Sequence, residues 1–80
     1  MMKVKVKFFS VLRDAAGVKE ALVELRDGAK VSELLEELYF RWPKLRDERD
    51  VIVLVNGKPS SSLELKEGDE VALIPPVSGG

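Results

Sequence analysis

The chain of 80 residues contains no cysteine and no histidine. Those two absences exclude a disulfide framework, a thiolate nucleophile, an imidazole general base and the usual zinc ligand sets. Threonine and glutamine are missing as well, while Glu, Lys and Arg are plentiful, a balance compatible with a thermophilic source. No long apolar run is present: the longest, Val51 to Val55, is far too short to cross a bilayer, so no membrane partner is expected. The N-terminal Lys3, Val4, Lys5, Val6, Lys7 alternation never builds the apolar stretch of a signal peptide, and the expectation is a cytoplasmic protein. Thirteen basic and fourteen acidic side chains, net −1, give no electrostatic reason to expect nucleic acid. At this length a single domain buries about 60–65% of its unfolded surface, and a 45% hydrophobic share is too apolar for a disordered chain. If the chain takes part in catalysis, its reactive group is not one of the usual side chains.

What is there is a pattern of short elements. Lys3 to Phe9 alternates as a strand, with Val4, Val6 and Phe8 on one face and Lys3, Lys5, Lys7 and Phe9 on the other. Ser10 to Gly17 reads as a connection in which Leu12 to Ala16 form a helical turn closed by Gly17. Glu20 to Leu25 alternates again and completes a hairpin, with Ala21, Val23 and Leu25 inward. The one convincing helix spans about Val31 to Trp42, where Val31, Leu34, Leu35, Leu38 and Trp42 fall on one stripe and Pro43 stops it. Its cap is Ser32 by residue type or Lys30 by spacing to Glu33. Tyr39, Phe40 and Trp42 read as core and helix-end packing.

Lys44 to Asp50 reads as a solvated charged connector, and Val51 to Val55 as a strand covered on both faces. Asn56-Gly57 is a hairpin turn signal, Pro59 belongs at a sheet edge, and Ser60 to Leu65 is a weak strand or an irregular crossing. Lys66 to Asp69 is a tight turn before a last strand, Glu70 to Ile74, with Val71 and Leu73 inward. The expected fold class is α+β: a mixed sheet of four to five strands packed on one main helix. The expected organisation is a domain over residues 1–74 and an extended tail over 75–80.

The tail is Pro75, Pro76, Val77, Ser78, Gly79, Gly80. Two prolines block further sheet pairing. Gly79 and Gly80 carry no side chain, so such an end, about 20 Å long when extended, fits a narrow channel in another protein. The α-carboxylate at Gly80 is a poor electrophile until a partner converts it to a mixed anhydride, after which it accepts sulfur or an amine. A Ser-Gly-Gly ending also occurs as a frayed end or a cloning product.

The run Leu65-Lys66-Glu67-Gly68-Asp69-Glu70-Val71-Ala72-Leu73-Ile74 leading into Pro-Pro-Val-Ser-Gly-Gly resembles the C-terminus of the small, sulfur-carrying subunits of molybdopterin synthase. The resemblance extends to Val6 through Gly17, to Val31 through Leu38 with Trp42-Pro43, and to Val55-Asn56-Gly57, and so covers essentially the whole chain. It implies the ubiquitin-like β-grasp fold. It also implies that an E1-like adenylating enzyme uses ATP to activate Gly80, which becomes a thiocarboxylate. Pro75, Pro76, Val77, Ser78 and Gly79 then form the arm inserted into the large synthase subunit, where the sulfur attacks a pterin precursor of the molybdenum or tungsten cofactor. Nucleotide, metal and pterin sites would belong to partners, with no cofactor bound by this chain. Lys30 departs from the family, standing where many relatives have a Thr cap.

In a β-grasp the first and last strands lie side by side, so Phe9 and Ile74, with Pro59, are expected to form an exposed apolar interface at the root of the tail. Lys3, Lys5 and Lys7 read as a solvated, edge-protecting face. Two other functions share the tail chemistry: a ubiquitin-like modifier joined to lysines through Gly80, and a sulfur carrier for thiamine synthesis. A structural or adaptor domain is the remaining reading.

Overall fold

Alternation of β-branched and charged residues at the N-terminus commits the chain to a strand with one dry face. In the computed structural model, which describes residues 1–59 and 64–76, this is β1, Met2–Phe8. Met2, Val4, Val6 and Phe8 are buried on its inner side. The remaining elements are helix α1 (Val11–Ala16), β2 (Glu20–Leu25), helix α2 (Val31–Arg41), a 3-10 turn (Pro43–Asp47), β3 (Ile52–Val55), β4 (Lys58–Pro59) and β5 (Glu70–Ile74). They form one five-stranded sheet in the order β2-β1-β5-β3-β4. β1 pairs antiparallel with β2 and parallel with β5, and β5 pairs antiparallel with β3. One main helix lies against one face of this mixed sheet, and the architecture is the ubiquitin-like β-grasp.

Helix α2 presents Val31, Leu34 and Leu38 to the same cluster as Val4, Val6, Val23, Val71 and Leu73. Lys30 is the N-cap, in extended backbone, its carbonyl accepting from the N–H groups of Glu33 and Leu34; Ser32 lies inside the first turn. The Lys30 side chain makes no cap, since an ammonium has no acceptor to offer the first N–H groups, and the Glu33 carboxylate is held by Arg26 through two hydrogen bonds of 2.6 and 2.8 Å. Helix α1 starts one residue earlier than the sequence pattern predicts, at Val11, and Gly17 closes it in the left-handed region with φ 78°.

Four expectations are corrected. Trp42 is not in the helix but is its C-cap, because the residue before Pro43 is pushed out of helical conformation; its ring meets Phe8 edge-on at 5.2 Å. Phe40 is 80% exposed, not core: it lies two residues, about 200° around the helix, from buried Leu38. The Lys44 to Asp50 connector is not simply solvated, since Leu45 is only 1% exposed and the 3-10 turn carrying it packs against both α1 and α2. Strand β3 is covered on one face only. Val53 and Val55 pack on the core, while Ile52 is 41% exposed and Leu54 half-buried. With a single helical layer, an apolar run here marks an open apolar face rather than a second covering layer.

The turn Asn56-Gly57 has positive φ at both residues, 51° and 83°, the type I′ geometry that matches strand twist. Pro59 sits on the outermost strand as its missing N–H requires. Of the segment Ser60 to Leu65, residues 60–63 lie outside the described residues; Glu64 bridges Lys30, and buried Leu65 donates its N–H to the Ala29 carbonyl.

Leu45→Ala is expected to lower the unfolding free energy by about 2–5 kcal/mol, as for other buried leucines. Lys44→Ala is expected to stay within about 0.5 kcal/mol. Denaturant melts of the two variants check the anchoring role of the connector.

Candidate functional site: the open sheet face at the end of β5

The parallel register of β1 and β5 sets Phe8 opposite Leu73, and the pairing continues one residue further, the Phe9 N–H donating to the Leu73 carbonyl at 3.2 Å. Phe9 is thereby brought level with Ile74, the last residue before Pro75. Phe9 is 44% exposed, Ile74 and Pro75 are half-buried, and Pro76 is exposed. Immediately after Phe9 the chain turns away at Ser10, whose φ of 54° and ψ of −129° lie in a region non-glycine residues rarely occupy. That turn lets the Ser10 carbonyl accept the N–H groups of Arg13 and Asp14 and start α1, ending β1 with Phe9 on the open side.

The antiparallel register of β3 extends the surface. Ile52 pairs with Ile74, Leu54 with Ala72, and Leu54 in turn with Pro59. Because side chains alternate across a sheet, Ile52, Leu54, Ala72 and Ile74 share the face opposite α2. The structure therefore brings Phe9 and Ile74 together. It places Pro59 two strands from β5, in the Ala72 row rather than beside Ile74. Ile52 and Leu54 are part of this face and were missed, because an apolar run has no visible alternation; counting back from the Asn56-Gly57 turn would have revealed it. Val77, Ser78, Gly79 and Gly80 lie outside the described residues.

The apolar patch is bounded by paired charges. Lys7 Nζ lies 3.0 Å from Glu70 and Lys5 Nζ 3.7 Å from Glu20, so the lysine row of β1 is largely matched by carboxylates on its neighbours. The hydrogen bond from Lys7 to Glu70, reinforced by the carboxylate charge, raises the Lys7 ammonium above its ordinary range. At the start of β5, Asn56 donates through Nδ2 to Asp69 and accepts the Glu70 N–H, both at 3.0 Å, while Asp69 accepts the Lys66 N–H at 2.7 Å. Asn56 thus fixes where β5 begins as well as turning the hairpin. Among the described residues no group of three or more Asp or Glu is placed to hold a metal ion. The face exposes apolar side chains, and among the described residues it carries no acid–base pair aimed at a common point.

A family model described as ThiS family matches residues 6–80 of this chain. The molybdopterin synthase sulfur carrier subunit of Chlamydomonas reinhardtii is 40% identical over 83 residues, covering 99% of this chain and all of the relative. Among solved structures, the putative molybdopterin converting factor subunit 1 of Pyrococcus furiosus superposes with a TM-score of 0.90 at 42% identity, covering 96% of this chain and 100% of that one. SAMP1 of Haloferax volcanii superposes with a TM-score of 0.87 at 33% identity, covering 98% and 99%.

The Lys7–Glu70 pair makes a stability contribution of known sign. A raised pKa in the folded state means the contribution is fully present below the unfolded value of about 10.4 and is lost as pH rises through the folded value. Glu70→Gln is therefore expected to lower the Lys7 titration midpoint in an NMR pH series and to reduce the fall in stability across that alkaline window. An unmoved midpoint would contradict the pairing.

Proposed function

The chain belongs to the ThiS family and, within it, to the molybdopterin synthase sulfur carrier subunits, and from that premise we propose that it carries sulfur on its own C-terminus. What supports this most is that the likeness runs through residues 6–80 and so takes in the Gly79-Gly80 end. The body, residues 1–74, serves as a rigid handle, and residues 75–80 serve as the reactive arm.

The chemistry follows from a carboxylate that must be activated. An E1-like adenylating enzyme joins the Gly80 carboxylate to the AMP part of ATP, with pyrophosphate leaving. A hydrosulfide-level nucleophile then attacks the acyl carbon, the bond to AMP breaks, and a thiocarboxylate remains. In the large subunit of the synthase, the Gly80 sulfur attacks an electrophilic carbon of a pterin precursor, a C–O bond there breaks as the oxygen leaves, and water then cleaves the resulting thioester, leaving sulfur on the pterin and returning the Gly80 carboxylate. Pro75, Pro76, Val77, Ser78 and Gly79 occupy the partner's channel, with nothing branching at Gly79 and Gly80 to obstruct it. Phe9, Ile74 and Pro59, together with Ile52 and Leu54, form the docking face. The catalytic pocket belongs to the large subunit, ATP is used by the activating enzyme, and this chain holds no cofactor of its own in the proposed cycle. No helix among the described residues is long and apolar enough to cross a membrane. The reading places the carrier in the cytoplasm, with neither membrane nor nucleic acid as a partner.

The likeness to SAMP1, the small archaeal modifier protein 1 of Haloferax volcanii, favours a second use of the same activated end. A lysine amine in place of the sulfur nucleophile would give an isopeptide bond through Gly80. A carrier for thiamine synthesis would require the same activation and a different acceptor.

Deleting Gly79-Gly80 is expected to abolish dithiolene formation in a synthase reconstituted with the large subunit while leaving the unfolding free energy within about 0.5 kcal/mol. Dithiolene formation by the truncated chain would refute the carrier reading. Phe9→Ala and Ile74→Ala are each expected to weaken binding to the large subunit by about tenfold or more, as for anchors in a buried apolar interface. Titration calorimetry with the full-length chain measures this.

A further inference from the structure

The register of the β1–β2 hairpin leaves a row of backbone groups open. The Phe8 N–H donates to the Lys19 carbonyl at 2.8 Å, and the register pairs Val6 with Ala21, Val4 with Val23 and Met2 with Leu25. Hydrogen-bonded pairs alternate along an antiparallel ladder, so Ala21, Val23 and Leu25 turn their N–H and C=O groups toward β1. Glu20, Leu22 and Glu24 turn theirs outward, because β2 is an edge strand. Among the described residues, only the guanidinium of Arg41 reaches this row, donating to the Leu22 carbonyl at a long 3.5 Å. The opposite edge is the two-residue strand Lys58–Pro59, in which Pro59 has no N–H to offer.

The open edge is flanked by a groove of about 330 Å³ lined by Lys3, Leu22, Val23, Glu24, Glu37 and Arg41. Leu22 is 63% exposed, an apolar side chain on the open face with Glu20 and Glu24 on either side of it. Glu20 lies 3.7 Å from Lys5, whereas Glu24 has no ion-pair partner among the described residues. We propose that the outer edge of β2 is a strand-addition site for an extended segment of another protein with the pattern basic–x–apolar–x–basic. Its backbone would complete the ladder at Glu20, Leu22 and Glu24, its apolar residue would cover Leu22, and its cations would lie against the two carboxylates. A second copy of this chain is the wrong occupant for the two-fold pairing centred on Leu22, which sets Glu20 of one copy against Glu24 of the other.

The site stands apart from the tail. β1 separates β2 from β5, a spacing of about 10 Å between the two strands. A segment added to β2 therefore leaves Phe9, Ile74 and the arm free, and the carrier can be held at this edge while its end is being modified. The inference rests on strand geometry and does not depend on the sulfur-carrier reading.

The test uses the full-length chain, labelled with ¹⁵N, and an acetylated, amidated peptide Ser-Lys-Val-Leu-Val-Lys-Ser. The expected result is slowed amide exchange and shifted resonances at Glu20, Leu22 and Glu24, with Ala21 and Val23 already protected in the free protein. Replacing both peptide lysines by glutamate is expected to weaken binding by about five-fold or more, and Glu24→Lys is expected to narrow or reverse that preference. Methylating alternate peptide amides is expected to abolish binding if the ladder carries it. No response at millimolar peptide, equal binding of both peptides, or shifts confined to Phe9, Ile52 and Ile74 would each overturn the proposal.

Discussion

The parallel pairing of β1 with β5 is the constraint on which the rest of the molecule depends. It joins the two ends of the chain in the middle of the sheet, from Lys5 beside Glu70 to Phe8 beside Leu73. Parallel strands cannot be joined by a tight hairpin, and here the chain between them takes in α1, β2, α2, the 3-10 turn and the β3–β4 hairpin. The same pairing puts Val6 and Val71 on the dry face against α2 and leaves Lys7 and Ala72 on the open one. It also sets Phe9 next to Ile74 at the point where the chain leaves the sheet. One register thus determines the core and the position of the apolar face relative to the final residues.

The turns around β5 hold that register. Gly68 donates its N–H to the Lys3 carbonyl, the Lys3 N–H donates to the Glu67 carboxylate, and Asp69 accepts from both Asn56 and Lys66. A slip of β5 by one residue would exchange Val71 and Leu73 for Ala72 and Ile74 in the core. It would also break the three of these contacts that reach Lys3 and Asn56, while the Lys66–Asp69 contact shapes the turn itself, so the turn chemistry and the hydrophobic pattern agree on a single alignment.

Much of this was legible before the structure. Val4, Val6 and Phe8, Val71 and Leu73, and Val31, Leu34 and Leu38 of the helical stripe are spaced by the period of their element and buried, while Leu35 and Trp42 of that stripe are half-buried against the core. What was not legible depended on contacts distant in sequence or on single residues without a period. Leu45 is one apolar residue in a charged segment, and only the packing of the 3-10 turn against α1 and α2 shows that it is core. Phe40 belongs to an aromatic cluster by composition but to the solvent side by angle. The apolar run of β3 concealed that Ile52 and Leu54 face outward. On the open apolar face, Phe9 and Ile74 followed from adjacent strands, while Ile52 and Leu54 required the β3–β5 register. The outward row on β2 could be seen only once the hydrogen-bond phase of the hairpin was known.

A chain without cysteine or histidine has little side-chain chemistry to offer. In the proposed cycle the reactive atom lies on Gly80, activation and transfer belong to partners, and the β-grasp body acts by positioning. Intact-mass analysis of the full-length chain after incubation with ATP, its adenylating enzyme and a sulfur donor tests that claim most directly. The account predicts replacement of one oxygen by sulfur, localised by fragmentation to Gly80. An unchanged mass with an enzyme shown to adenylate the chain, or sulfur found at any other residue, would contradict it.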